Sequence, residues 1–172
     1  MEIVDIVNEK DEIIGKMDKI ESHKKGLLHR TVIAEVINSK GQWLLVQQTP
    51  HKQEPGKYVS PMGGHVQSGE SKELALKREL EEELNIKHFT FKLKGKFIYN
   101  VPILKHIENH YFIVYEVYTD DTIVLSDESC NARWFTKKEL QDEVKNYPEK
   151  FGKSFYAVFN HLYKDLFCVD AV

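Results

Sequence analysis

Cysteine is scarce in this chain. Its two copies, Cys130 and Cys168, are too few for a disulfide framework, so the core must hold by packing alone. No apolar run approaches the roughly 20 residues that a membrane-spanning helix needs. Near the start stand Glu2 and Asp5, not a basic and then apolar leader, so a cytoplasmic location is expected. No strong charge of either sign is present. A net charge of −3 gives no electrostatic attraction for nucleic acid or a membrane surface, and neither is expected as a partner. Oligomeric state leaves no mark in the sequence. What remains is 172 residues, 41% hydrophobic, enough for one domain with its own core.

A further absence is local and more telling. From Ser71 to Leu84 the chain has no glycine, no proline and no β-branched residue, so propensity favours helix throughout. Ser71 can cap that helix by accepting a first-turn amide. With Leu76 at zero and about 100° per residue, Leu80 and Leu84 fall at about 40° and 80°, a narrow apolar stripe. Glu83, Glu79 and Glu82 fall at about −20°, −60° and −120°, along one edge of it, and Glu81 at about 140°, on the other side. Like charges three and four residues apart repel, and beside a packed face they repel more strongly. A hard divalent cation reverses that cost, because Mg²⁺ binds through a few carboxylates together with substrate phosphates.

The rest of the chain alternates strands with turns. Ile3–Val7 and Glu12–Lys16 read as two short strands in an N-terminal hairpin over residues 1–20. Asp18–Arg30 is polar, with a break at Gly26. Thr31–Ile37 and Trp43–Gln48 flank Asn38-Ser39-Lys40-Gly41 and read as a hairpin. Tyr58–Met62 is a strand leading into Gly63 and Gly64. Phe89–Val101, with an irregularity at Gly95, and Glu108–Tyr118 are longer strands. Asp120–Asn131 is an acidic loop with a strand fragment at Ile123–Leu125, and Ala132–Phe135 is a short strand. Two helices close the chain over 136–168, the first capped by Thr136, the second running Lys153–Leu166. The expected class is α+β.

The order Gly64, Glu70, then Arg78-Glu79-Leu80, Glu82-Glu83 and Ile86 resembles the Nudix box, GxxxxxE followed after seven residues by REUxEExGU, with U aliphatic. Asn85 stands where the family has glycine, and Asn is the next most tolerant residue of a left-handed helix end. The resemblance implies a single Nudix domain with its box at 64–86 and a mixed β-sheet sandwiched between helices. It also implies a metal-dependent hydrolase of a nucleoside diphosphate–X linkage, a small-molecule substrate. Mg²⁺, with Mn²⁺ as a substitute, would be held by Glu79, Glu82 and Glu83, with Glu70 as a further ligand through water. Arg78 lies on the far side of the wheel and is assigned an orienting salt bridge to the preceding loop. Gly63 and Gly64 would let backbone amides approach phosphate. The general base is open among Glu79, Glu108, His110 and Glu128. Substrate choice is assigned to the loops Thr49–Lys57, Pro102–Ile107 and Asp120–Asn131.

The N-terminal half also resembles type 1 isopentenyl diphosphate isomerases, a Nudix subgroup. Their metal-binding histidines match His23, His29 and His65, and the first of two later glutamates matches Glu108, which gives a possible second metal site. Their isomerisation needs a cysteine and a second glutamate, and here those positions hold Gly63 and His110. A proton donor and acceptor on opposite faces are then both missing. An isomerase-like enzyme and a non-catalytic nucleotide-binding module are the alternative readings.

Overall fold

The computed structural model describes residues 1–103 and 106–167, so Cys168 lies outside the described residues. The described chain forms β1 (Ile3–Val7), β2 (Ile13–Asp18), α1 (Lys19–Lys25), β3 (His29–Ile37), β4 (Trp43–Gln48), β5 (Tyr58–Val59) and β6 (Met62–His65). It continues with α2 (Lys72–Leu84), β7 (Thr90–Ile103), β8 (His106–Tyr118), β9 (Ser129–Phe135), α3 (Lys137–Asn146), α4 (Lys153–Leu162) and α5 (Lys164–Phe167). All nine strands join one mixed sheet. β3 and β8 run parallel over nine pairs, from His29↔His110 to Ile37↔Tyr118, and the other pairings are antiparallel.

Alternation along β3 divides the core into two layers. Val32, Ala34 and Val36 face α2 and pack on Leu76, Leu80 and Leu84. Ile33 faces the other way, where Phe112 and Val114 of β8 meet Phe155, Val158 and Phe159 of α4. The sandwich of helices about a mixed sheet is therefore present, with α2 on one side and α4 on the other.

Several elements differ from the sequence reading. The polar stretch after β2 contains α1, capped by the Asp18 carboxylate, which accepts from Ile20 and Glu21 amides at 3.0 and 3.3 Å. Gly26, left-handed at φ 62°, ends it. The turn between β3 and β4 forms as expected, but the strands pair only at Ile37↔Trp43 before diverging to other neighbours. Ile123–Leu125 adds no strand. Its loop latches onto the end of α2 instead, through Val124 N–H to Leu84 O and Ser126 N–H to Glu83 O. Pro102 and Ile107 belong to the paired strands β7 and β8. The final helix breaks at Tyr163 into α4 and α5.

The ends of α2 are as the sequence dictates. The Ser71 hydroxyl accepts the Leu74 amide at 3.2 Å. Asn85 sits at φ 55°, and the Ile86 amide returns to Leu80 O at 3.1 Å. Asn85→Gly should be neutral or slightly stabilising in chemical denaturation, whereas a β-branched residue there should cost about 1 kcal/mol or more.

Candidate active site

The Nudix-box residues gather about Arg78. Its guanidinium donates to both oxygens of Glu70, at 3.0 and 2.9 Å, and to the His65 carbonyl at 3.0 Å. The expected bridge to the preceding loop is present. The wheel nevertheless misplaces the charged end, because a long side chain reaches beyond its own Cα direction. Arg78 also touches Glu79 at 2.6 Å and Glu82 at 3.3 Å. Glu70 is held below the usual carboxylate range by Arg78, and the Gln67 amide donates to it at 3.1 Å. Its two oxygens are thus engaged within the protein.

The three carboxylates of the acidic edge differ in environment. Glu79 is buried beneath Gly64, and burial raises its pKa although Arg78 opposes this. Glu83 is pushed up to about 8, by burial first, then by the Glu128 and Glu79 carboxylates. Lys52 and a hydrogen bond from the Gly63 backbone pull it back only in part. Glu82 is exposed at the rim. Glu81 also faces solvent, 3.4 Å from Lys87. Gly64 makes room for Glu79, and the Gly63 backbone serves Glu83. Two of the proposed specificity loops do converge here. Lys52 and Glu128 pair at 2.7 Å across them, and the Thr49 amide donates to Glu128 O at 3.1 Å.

The opposite face of the sheet holds a second centre. His23 arrives on α1, His29 on β3, His65 on β6 and His110 on β8. One nitrogen from each lies within 4.8 Å of the others. The register explains the meeting, since β3 pairs His29 with His110 and, two residues on, Thr31 with His65. The sequence points to the first three and to Glu108, and puts His110 only at the position of a missing glutamate and among the candidate bases. The signal was available, because His110 lies two residues beyond Glu108 and so on the same strand face. Glu108 stands 3.6 Å from His23 Nδ1 and 3.2 Å from His110 Nε2, and Gln53 donates to it at 2.9 Å.

The donor set suits a borderline transition metal. His29 Nδ1–H donates to Leu27 O at 2.7 Å, which fixes the tautomer and turns the Nε2 lone pair inward. That buried Nε2 has no hydrogen-bond partner among the described residues. Burial lowers the pKa of His29, and lowers that of His65 further with help from the neighbouring imidazoles. Both therefore stand neutral and able to coordinate.

Known proteins resemble this chain along most of its length. The chain is 29% identical to isopentenyl-diphosphate Delta-isomerase 2 of Photorhabdus laumondii, over 96% of this chain and 95% of that one. It is 30% identical to a Nudix hydrolase of Deinococcus radiodurans, over 81% of each chain. A crystal structure of a Deinococcus radiodurans protein superposes with a TM-score of 0.74 at 26% identity, covering 94% of this chain and 99% of that one. The family model for the NUDIX domain matches residues 27–156. With the box assembled about Arg78, this match makes the chain a member of the Nudix hydrolase family.

Proposed function

We propose that the protein is a metal-dependent diphosphatase acting on a nucleoside diphosphate–X substrate, with Mg²⁺ at the α2 carboxylates and a transition metal at the histidine centre. One observation carries the first half. Glu83 is crowded by Glu128 and Glu79, while Arg78 is divided among Glu70, Glu79 and Glu82 and Lys52 is held by Glu128, so carboxylates outnumber cations beside a packed face. Mg²⁺ there, or Mn²⁺ in its place, would offset charge on the phosphates and lower the pKa of an attacking water. Glu79 and Glu83 would hold it from the buried side and Glu82 from the rim. Glu70 is assigned to fixing Arg78. Glu128, carried by a loop at the mouth, faces Glu83 and is the best placed of the candidate bases there, since Glu108 and His110 belong to the other centre. A cytoplasmic setting fits such a substrate.

The test is phosphate release from a panel of dinucleotides, nucleotide sugars, nucleoside triphosphates and prenyl diphosphates. Release with Mg²⁺ that EDTA abolishes is expected. Binding without release would favour a nucleotide-sensing module. The relatives named as isomerases make isopentenyl diphosphate a necessary member of the panel. No isomerisation above the no-enzyme control is expected, because Gly63 offers no side chain and His110 is drawn into the histidine centre.

For that centre the expected result is one Co²⁺ or Zn²⁺ per chain, followed for Co²⁺ by its visible absorption. His29→Ala should weaken this binding by about a hundredfold. Unchanged stoichiometry and affinity in His29→Ala would remove the transition metal from the proposal.

A further inference from the structure

We infer that Asp5 is a positioning residue for the box carboxylates, acting from a strand that precedes the matched family region at 27–156. The inference rests on the α2 carboxylates being a metal site.

Asp5 is a charged side chain only 5% exposed. Its carboxylate accepts the Ser68 hydroxyl at 2.7 Å and the Gly69 amide at 3.3 Å. Both donors lie in the turn that joins β6 to α2, where Gly69 is left-handed at φ 82°. The same turn is held by the Ser68 amide on Ile3 O at 2.8 Å and by a bridge between Val4 and Gln67. Gln67 and Glu70 close it, through Glu70 N–H to Gln67 O at 3.0 Å and Gln67 N–H to the Glu70 carboxylate at 3.1 Å.

From that turn the connection to the carboxylates is short. Glu70 holds Arg78 by two hydrogen bonds, and Arg78 holds Glu79 at 2.6 Å. Asp5 therefore fixes the turn, the turn fixes Glu70, and Glu70 fixes the guanidinium that sets the Glu79 carboxylate. Strand β1 does not need Asp5 for its own place. It pairs with β2 over five residues and buries Val4, Ile6 and Val7 in the core. The carboxylate is spent on the turn.

The experiment follows Mn²⁺ binding to the full chain by electron paramagnetic resonance, with thermal unfolding in parallel. Glu83→Gln identifies the share of binding that belongs to the box. Asp5→Ala should weaken that share by about tenfold, the effect expected for an outer partner of a metal ligand. Asp5→Asn keeps an acceptor for Ser68 and should fall between Asp5→Ala and the parent. Ser68→Ala should weaken it a few-fold, and adding it to Asp5→Ala should cost nothing more, since both act through one turn. If Asp5→Ala does not fold, Ser68→Ala carries the test alone. Box affinity within about twofold of the parent in every folded variant would overturn the role of Asp5. Parent binding that does not respond to Glu83→Gln would instead overturn the box as the metal site.

Discussion

Glutamine at position 83 should reduce turnover by about a hundredfold or more, and Mg²⁺ affinity with it. Glu83 lies where burial, Glu128 and Glu79 all disfavour its charge, so the folded protein holds a carboxylate there at a cost. Glutamine keeps the shape and removes that cost. The metal-free protein should therefore unfold at the same temperature as the parent or higher. Glu82→Gln should also lose turnover steeply, because Glu82 completes the arc from the rim. Glu81→Gln should stay within a few-fold of the parent. Its side chain faces solvent beside Lys87, about 100° or more round the helix from Glu82 and Glu83. Equal losses at positions 81, 82 and 83 would mean that the helix works as diffuse charge, and the assignment of ligands would fail.

Gly64→Ala should be nearly as damaging, for a different reason. A Cβ at residue 64 would lie 1.9 Å from Glu79 Cδ and 2.2 Å from its Oε1. Glu79 would have to leave its place between the sheet and Arg78. Overpacking of this kind costs about 1–3 kcal/mol. The displaced ligand should lower turnover by about a hundredfold, the order expected when metal chemistry loses its geometry. Gly63 offers the contrast. Its nearest such neighbour is Ile33 Cγ1 at 4.0 Å, an ordinary contact, so Gly63→Ala should leave thermal stability nearly unchanged. A Gly64→Ala protein as stable and active as the parent would show that Glu79 is not held where it matters.

What the sequence revealed follows the range of the interactions involved. Helix α2 was legible in full, from its Ser71 cap to the left-handed Asn85, because caps, propensity and the apolar stripe act within a few residues. The turn before β4 was legible too, since Asn38 Oδ1 accepts the Lys40 and Gln42 amides, each at 3.0 Å. Its strands part because β3 finds β6 and β8, and nothing in a turn states who the next neighbour is. Helix α1 has only seven residues and leaves Ile20 exposed, so it shows no apolar period. The break at Tyr163 escapes notice because apolar spacing continues across it. Strand alternation puts His110 on the same face as Glu108, but its meeting with His29 depends on a parallel pairing between distant strands, which periodicity does not encode.

Strand β6 has a consequence for how such a protein can change. Gly64 backs onto Glu79, and its immediate neighbour His65 points through the sheet to the histidines. Inserting or deleting one residue within β6 would exchange the two directions, placing an imidazole against the acidic helix and a bare glycine among the histidines. Neither centre can therefore be lengthened or shortened along this strand without disabling the other. New chemistry at either one has to come by substitution, with the count of residues between Met62 and His65 left unaltered.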